Sequence, residues 1–295
     1  MNFIPKGVLP AMITPLTPDQ KINEKALRKL ITFLLDGGVH GIFAVGTTGE
    51  FYALSDEEYE EVLQITTDEV AGRVPVYAGA NQICTRDAVR QAEIAQKAGV
   101  DAVSILTPYF ISPNQNQIEL FFKDIAASVD LPVLLYDNCP KTGVHIRPET
   151  AARLADVPNI VGMKDSTGDM TNTEECIRLT RDKDFHVMMG RDTLILPALA
   201  CGAAGAVAAC ANAAPSITAD IYNKYIEGDL DGAREAQFKL APLRLAFGIG
   251  TFPAVIKESL RLQGIDVGDC FQPVTPLTDD ERKRLSVILK NMGIL

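Results

Sequence analysis

The chain has 295 residues, 47% of them hydrophobic and 22% charged, enough apolar surface for a large core, which excludes disorder as the main state. Its 28 Lys and Arg are scattered against 38 Asp and Glu, a formal net charge of −10 that argues against nucleic acid or an anionic membrane as partner. Six cysteines with no C-x-x-C pair read as reduced thiols, and three widely spaced histidines offer no metal-binding pattern.

The first residues, MNFIPKGVLPAMITPL, lack the layout of a signal peptide, and no apolar run approaches the roughly 18 residues a spanning helix needs, so the expected location is the cytoplasm. In chain order, short apolar runs fall at 7–14, 41–46, 74–80, 102–107, 132–137, 160–164, 186–190 and 205–210. Between them lie amphipathic stretches such as EKALRKLITFLLDG, SDEEYEEVLQITTDEVAG and TRDAVRQAEIAQKAG, with apolar residues three and four apart. Gly38-Val39-His40-Gly41, Gly99-Val100-Asp101-Ala102 and Gly202-Ala203-Ala204-Gly205 repeat one joint, a glycine ending a helix just before the next strand. Eight near-continuous apolar strands alternating with helices predict a (β/α)8 TIM barrel rather than a doubly wound sheet, whose G-x-G-x-x-G turn is missing. After residue 213 only helical patterns follow, with no low-complexity linker. The expected organisation is a barrel over 1–229 and a C-terminal helical extension over 230–295 packed on it.

In such barrels chemistry sits at the C-terminal ends of the strands. Lys164 ends the apolar run at 160–164, where desolvation disfavours the ammonium and frees the amine to attack a carbonyl. The alternative is a structural lysine paired with Asp165 or Asp192. Tyr136 ends the preceding run and could pass a proton to and from a substrate oxygen; a tyrosine taken alone is more often an amphipathic core residue, and it is Lys164 on the adjacent strand that reverses the balance. The turn Gly46-Thr47-Thr48-Gly49-Glu50 offers N–H groups and two hydroxyls to a small carboxylate, or simply leads into a helix capped by Ser55 and Glu58. No glycine pair follows strands 7 and 8, which disfavours a phosphorylated substrate.

Together, G-T-T-G-E at 46–50, the Tyr136 strand running on to Thr142-Gly143, and G-M-K-D-S-T at 162–167 resemble the dihydrodipicolinate synthase and N-acetylneuraminate lyase family. The resemblance implies a homotetrameric barrel in which Lys164 forms an imine with pyruvate or another 2-keto acid, without metal or organic cofactor. It implies Tyr136 as the proton-transfer residue and Thr47 with Thr48 as binders of the pyruvate carboxylate. Gly49, Lys141, Tyr109, Asp192 and Ala209 complete the expected substrate contacts. The sequence departs from the synthase pattern at Phe110, where a second tyrosine would reach a neighbouring subunit, and at Lys141, where an arginine would hold the second substrate. Phe51, Tyr52, Asp56 and Tyr59 depart from the lysine-feedback site. Asp192-Thr193 and Ala209 depart from the sialic acid lyase pattern, and Gly49-Glu50-Phe51 looks like members that cleave 2-keto-3-deoxy sugar acids. The leading expectation is therefore a pyruvate-dependent aldolase for an unphosphorylated 2-keto-3-deoxy sugar acid. Dihydrodipicolinate synthase, a dehydratase, N-acetylneuraminate lyase and a non-catalytic keto-acid-binding homologue are the alternatives.

Overall fold

Glycines in the left-handed region end helices at each of the three repeated joints: Gly38 (φ 78°), Gly99 (φ 80°) and Gly202 (φ 102°). A computed structural model describes residues 3–295. Its first half runs β1 (Gly7–Pro10), α1 (Glu24–Asp36), β2 (Ile42–Ala44), α2 (Asp56–Val70), β3 (Val76–Gly79), α3 (Thr85–Lys97), β4 (Ala102–Leu106) and α4 (Gln115–Ala126). It continues with β5 (Val133–Asp137), α5 (Cys139–Thr142), α6 (Pro148–Leu154), β6 (Ile160–Asp165), α7 (Met170–Thr180), β7 (His186–Met189), α8 (Ile195–Ala200) and β8 (Gly205–Ala208). Four helices close the chain: α9 (Pro215–Glu227), α10 (Leu230–Ala246), α11 (Ala254–Leu262) and α12 (Asp279–Asn291).

All eight strands pair in parallel in the order β1-β8-β7-β6-β5-β4-β3-β2. The ring closes where β1 meets β2, through a bridge between Ala11 and Phe43 and a bond from the Met12 N–H to the Phe43 carbonyl (2.9 Å). The barrel is thus the predicted one, with shorter strands than the apolar runs suggest. The run at 7–14 is strand only to Pro10, and the run at 205–210 stops at Ala208. Beyond those points the Ile13 and Cys210 N–H groups turn to side chains, Asn212 Oδ1 (3.0 Å) and Asp192 Oδ1 (2.7 Å).

The barrel interior is a packed core filled by Leu9, Phe43, Tyr77, Ala102, Leu134, Val161, Met188 and Val207, one residue from each strand. The opposite strand faces meet the buried stripes of the helices, for example Leu27, Leu30, Ile31 and Leu34 of α1. The capping box expected ahead of α2 forms: the Glu58 N–H donates to Ser55 Oγ (3.2 Å) and the Ser55 N–H to Glu58 Oε2 (2.9 Å). Helix α10 begins at Leu230 and lies along α9. From it Gln237 reaches back to the barrel, donating to the Asp192 carbonyl (2.8 Å) and accepting from the Leu196 N–H (3.0 Å). No helix among the described residues is long and apolar enough to cross a membrane.

Candidate active site

A bulge aims Lys164 into the barrel mouth. Strands β5 and β6 pair Val133 with Ile160 but Leu134 with Gly162, leaving Val161 as the extra residue. Strict alternation would put Val161 and Lys164 on opposite faces. With the bulge, Val161 packs inside the barrel, Met163 joins the core between strands and helices, and Lys164 turns inward beside its register partner Tyr136. Glycine at 162 is required by the close approach of β7, because a Cβ there would collide with the His186 carbonyl.

Lys164 is only 3% exposed, and its Nζ lies 4.1 Å from the centroid of the Tyr136 ring and 4.5 Å from that of Phe43. Those two faces favour a cation, an influence opposing the desolvation that sequence position emphasises. The structural ion pair considered for this lysine is not formed, since both candidate carboxylates are engaged elsewhere. Asp165 accepts from the Thr167 N–H and from the side chains of Thr167, Asn172 and Thr173. Asp192 accepts from the Cys210 N–H and faces Arg244, Nε to Oδ2 3.4 Å.

Tyr136 is 2% exposed; its hydroxyl lies 3.2 Å from Thr47 Oγ1 and receives the Asn138 Nδ2–H at 3.0 Å. Burial pushes the phenol's pKa up, but the adjacent Lys164 charge and hydrogen bonds from Thr47, Ser166 and Asn138 outweigh it and bring it below its ordinary value. The turn carrying Thr47 and Thr48 is fixed from two sides. The Gly49 carbonyl accepts from Thr14 Oγ1 (2.7 Å), and Glu50, itself at φ 58°, is held by the Phe271 N–H (2.8 Å) and by Lys257 Nζ (2.7 Å).

These groups open onto a cavity of about 300 Å³. Of the residues expected from sequence, Lys164, Tyr136, Thr47, Thr48, Lys141, Asp192 and Ala209 line it, whereas Gly49 and Tyr109 do not. Gly49 is buried with its carbonyl spent on Thr14, and a Cβ there would press on the Met12 carbonyl. Tyr109 packs on Phe51, ring centroids 6.1 Å apart, in the cluster that backs Tyr136. The sequence reading gave no role to Asn138, Ser166 and Arg191, strand-end residues that also line the cavity. It also passed over Arg244, Phe247 and Phe252, which reach the cavity from the C-terminal extension and carry no local signal. Lys141 Nζ stands 5.6 Å from the Phe252 ring centroid, so an aromatic face rather than a carboxylate accompanies that cation.

A closed parallel barrel with a buried lysine set against a phenol at the C-terminal ends of its strands defines a class, the barrel lyases that work on small keto acids. The comparisons with known proteins narrow it. The chain belongs to the dihydrodipicolinate synthetase family, whose family model matches residues 4–292, and it is a pyruvate-dependent lyase of that family. The family's reaction runs through an imine between pyruvate and a lysine and draws on no separate cofactor. Among its relatives is the 4-hydroxy-tetrahydrodipicolinate synthase of Methanopyrus kandleri, 39% identical over 297 residues spanning 100% of this chain and 99% of that one. The crystal structure of dihydrodipicolinate synthase from Thermotoga maritima superposes with a TM-score of 0.96 at 30% identity, covering 99% of this chain and 100% of the other. YagE, a prophage protein of the same family from E. coli K12 solved in complex with pyruvate, superposes with a TM-score of 0.95 at 29% identity, covering 98% and 99%.

Proposed function

We propose that this protein joins pyruvate to an aldehyde that carries its own carboxylate, acting as a 4-hydroxy-tetrahydrodipicolinate synthase on aspartate semialdehyde. The observation that carries the choice of acceptor is the pair of cations Lys141 and Arg191 on the cavity wall, neither in an ion pair with a carboxylate among the described residues. Cleavage of a 2-keto-3-deoxy sugar acid would release an uncharged polyol aldehyde and leave both cations without a partner. The names of the relatives favour the synthase as well, so the sugar-acid reading put first from sequence moves to second place.

On this reading the Lys164 amine adds to C2 of pyruvate and one water leaves, giving an imine whose adjacent carbon loses a proton to form an enamine. The enamine attacks the aldehyde carbon of the acceptor. Tyr136 carries the protons of these steps, with Thr47 at its hydroxyl, and Thr47 and Thr48 hold the pyruvate carboxylate. Asp192 acts through Arg244 by holding it at the cavity wall, and Ala209 leaves room there.

The sugar-acid reading keeps two observations in its favour. Phe110 is 93% exposed and has no hydroxyl to lend a second site, and lysine at 141 lacks the fork with which arginine grips a carboxylate. We include a homotetramer in the proposal, and light scattering checks it.

Borohydride added with pyruvate should increase the mass of the wild-type chain by one reduced pyruvate and leave Lys164→Ala unchanged. Given pyruvate, the enzyme should consume aspartate semialdehyde faster than glyceraldehyde. Release of pyruvate from 2-keto-3-deoxygluconate at a higher kcat/KM than semialdehyde condensation would reverse the order of the two readings.

A further inference from the structure

The amide of Asn138 has no place in the chemistry described so far, yet it is buried, lines the cavity and makes its side-chain bond to the one phenol that lies beside Lys164. We propose that Asn138 is a positioning residue for that phenol: its Nδ2–H holds the Tyr136 oxygen as an acceptor and so directs the phenol's own proton toward the Thr47 or Ser166 hydroxyl or a substrate oxygen. The inference rests on the reading of Tyr136 as proton carrier.

The geometry leaves little freedom. A phenol oxygen has one proton to give and can accept from others, and an amide nitrogen only donates. With Nδ2 at 3.0 Å, one lone pair of the oxygen is occupied, which leaves the hydroxyls of Thr47, with Oγ1 at 3.2 Å, and Ser166 as the phenol's other hydrogen-bonding neighbours. The backbone holds the amide in place independently, because the Asn138 carbonyl accepts from the Lys141 N–H (2.8 Å) and the Thr142 N–H (3.0 Å) as the first turn of α5. When the carbinolamine loses its hydroxyl as water, its C–O bond breaks, C=N forms, and the phenol's proton goes to the departing oxygen. The Tyr136 oxygen is then an anion in a buried site, where an N–H donor that survives the transfer is worth more than in water. When the next proton arrives from the carbon that becomes the enamine, the same bond presents the oxygen ready to accept it.

A substrate-free ultraviolet difference titration of the full chain, with Tyr136→Phe subtracted to isolate one tyrosine, reads the bond directly. In Asn138→Leu, which keeps the size and removes the donor, Tyr136 should ionise about one pH unit higher or more. Its kcat should fall about tenfold with KM for pyruvate within about twofold, because the amide acts on the proton and not on the carboxylate. Asn138→Asp replaces the donor by a like charge and should move the ionisation further up, which gives a second reading should the leucine variant fold poorly. Wild-type titration in both variants overturns the inference. A shifted titration with undiminished kcat overturns instead the role of Tyr136 as proton carrier and leaves the hydrogen bond standing.

Discussion

Asn212 donates from Nδ2 to the Ala11 carbonyl (2.7 Å) and accepts at Oδ1 from the Ile13 N–H (3.0 Å), so one buried amide ties the end of β8 to the end of β1. Asn81 does the same between neighbouring strands, accepting from the Leu106 N–H (3.0 Å), and Asp165 fixes the loop into α7. Strand-end position therefore located the right ring of residues without telling those that hold loops from those that face substrate, because that depends on partners distant in sequence. Asn212→Ala would leave a buried N–H and a buried carbonyl unpaired, and we expect a loss of about 2–5 kcal/mol in urea unfolding. Asp137 is another loop holder: its Oδ2 lies 2.6 Å from His145 Nδ1 and also accepts the Ile146 N–H (2.9 Å). The hydrogen bond to Asp137 raises the imidazole pKa above its ordinary value, with burial opposing it. A histidine whose folded value is raised contributes fully below its unfolded value, near 6.5, and loses that contribution as pH rises through the folded one. Urea unfolding at pH about 5.5 and about 8.5 should therefore find His145→Ala penalised more at the acid value.

Among elements, two irregularities decide where the chemistry sits, and they differ in how far the sequence discloses them. The β6 bulge has a visible marker, since Gly162 interrupts an apolar strand and glycine there often signals a bulge or a close backbone approach. The hold on the Thr47–Thr48 turn has none. Glu50 looks like the last residue of a polar loop, yet it is wholly buried against Lys257 of α11, itself 2% exposed, with Nζ also donating to the Asp269 carbonyl (2.8 Å). An ion pair between elements so far apart in sequence leaves no local pattern. Breaking such a pair strands a buried charge, so Lys257→Met should cost about 3–5 kcal/mol, whereas Glu50→Gln with Lys257→Met should recover part of it. If the turn receives the pyruvate carboxylate, the double variant should also show a raised KM for pyruvate with KM for the aldehyde little changed, a split that steady-state kinetics measures.

At the scale of the whole molecule, the division into a barrel over 1–229 and an extension over 230–295 is a boundary in the helix pattern, and we propose that it is not a boundary in folding. Arg244, Phe247 and Phe252 form part of the cavity wall, Gln237 satisfies the Leu196 N–H and the Asp192 carbonyl, and Lys257 neutralises Glu50. The repeat of strand and helix made the barrel legible, because each unit buries its face against the next. The return of the extension over the barrel mouth was not legible, since its helices carry ordinary amphipathic patterns that say which face is buried but not against what. Ending the chain at residue 229 would take Lys257 from Glu50, Arg244 from Asp192 and Gln237 from the Leu196 N–H, and would expose to water the apolar surface on which Leu240, Leu243, Val255 and Leu260 pack, more than the usual net stability of a domain can absorb. The 1–229 fragment should therefore lack a cooperative thermal transition by circular dichroism and should not be trapped by pyruvate and borohydride. A fragment that melts cooperatively and still gains the adduct would show the barrel to be self-sufficient and reduce the extension to a lid on a finished site.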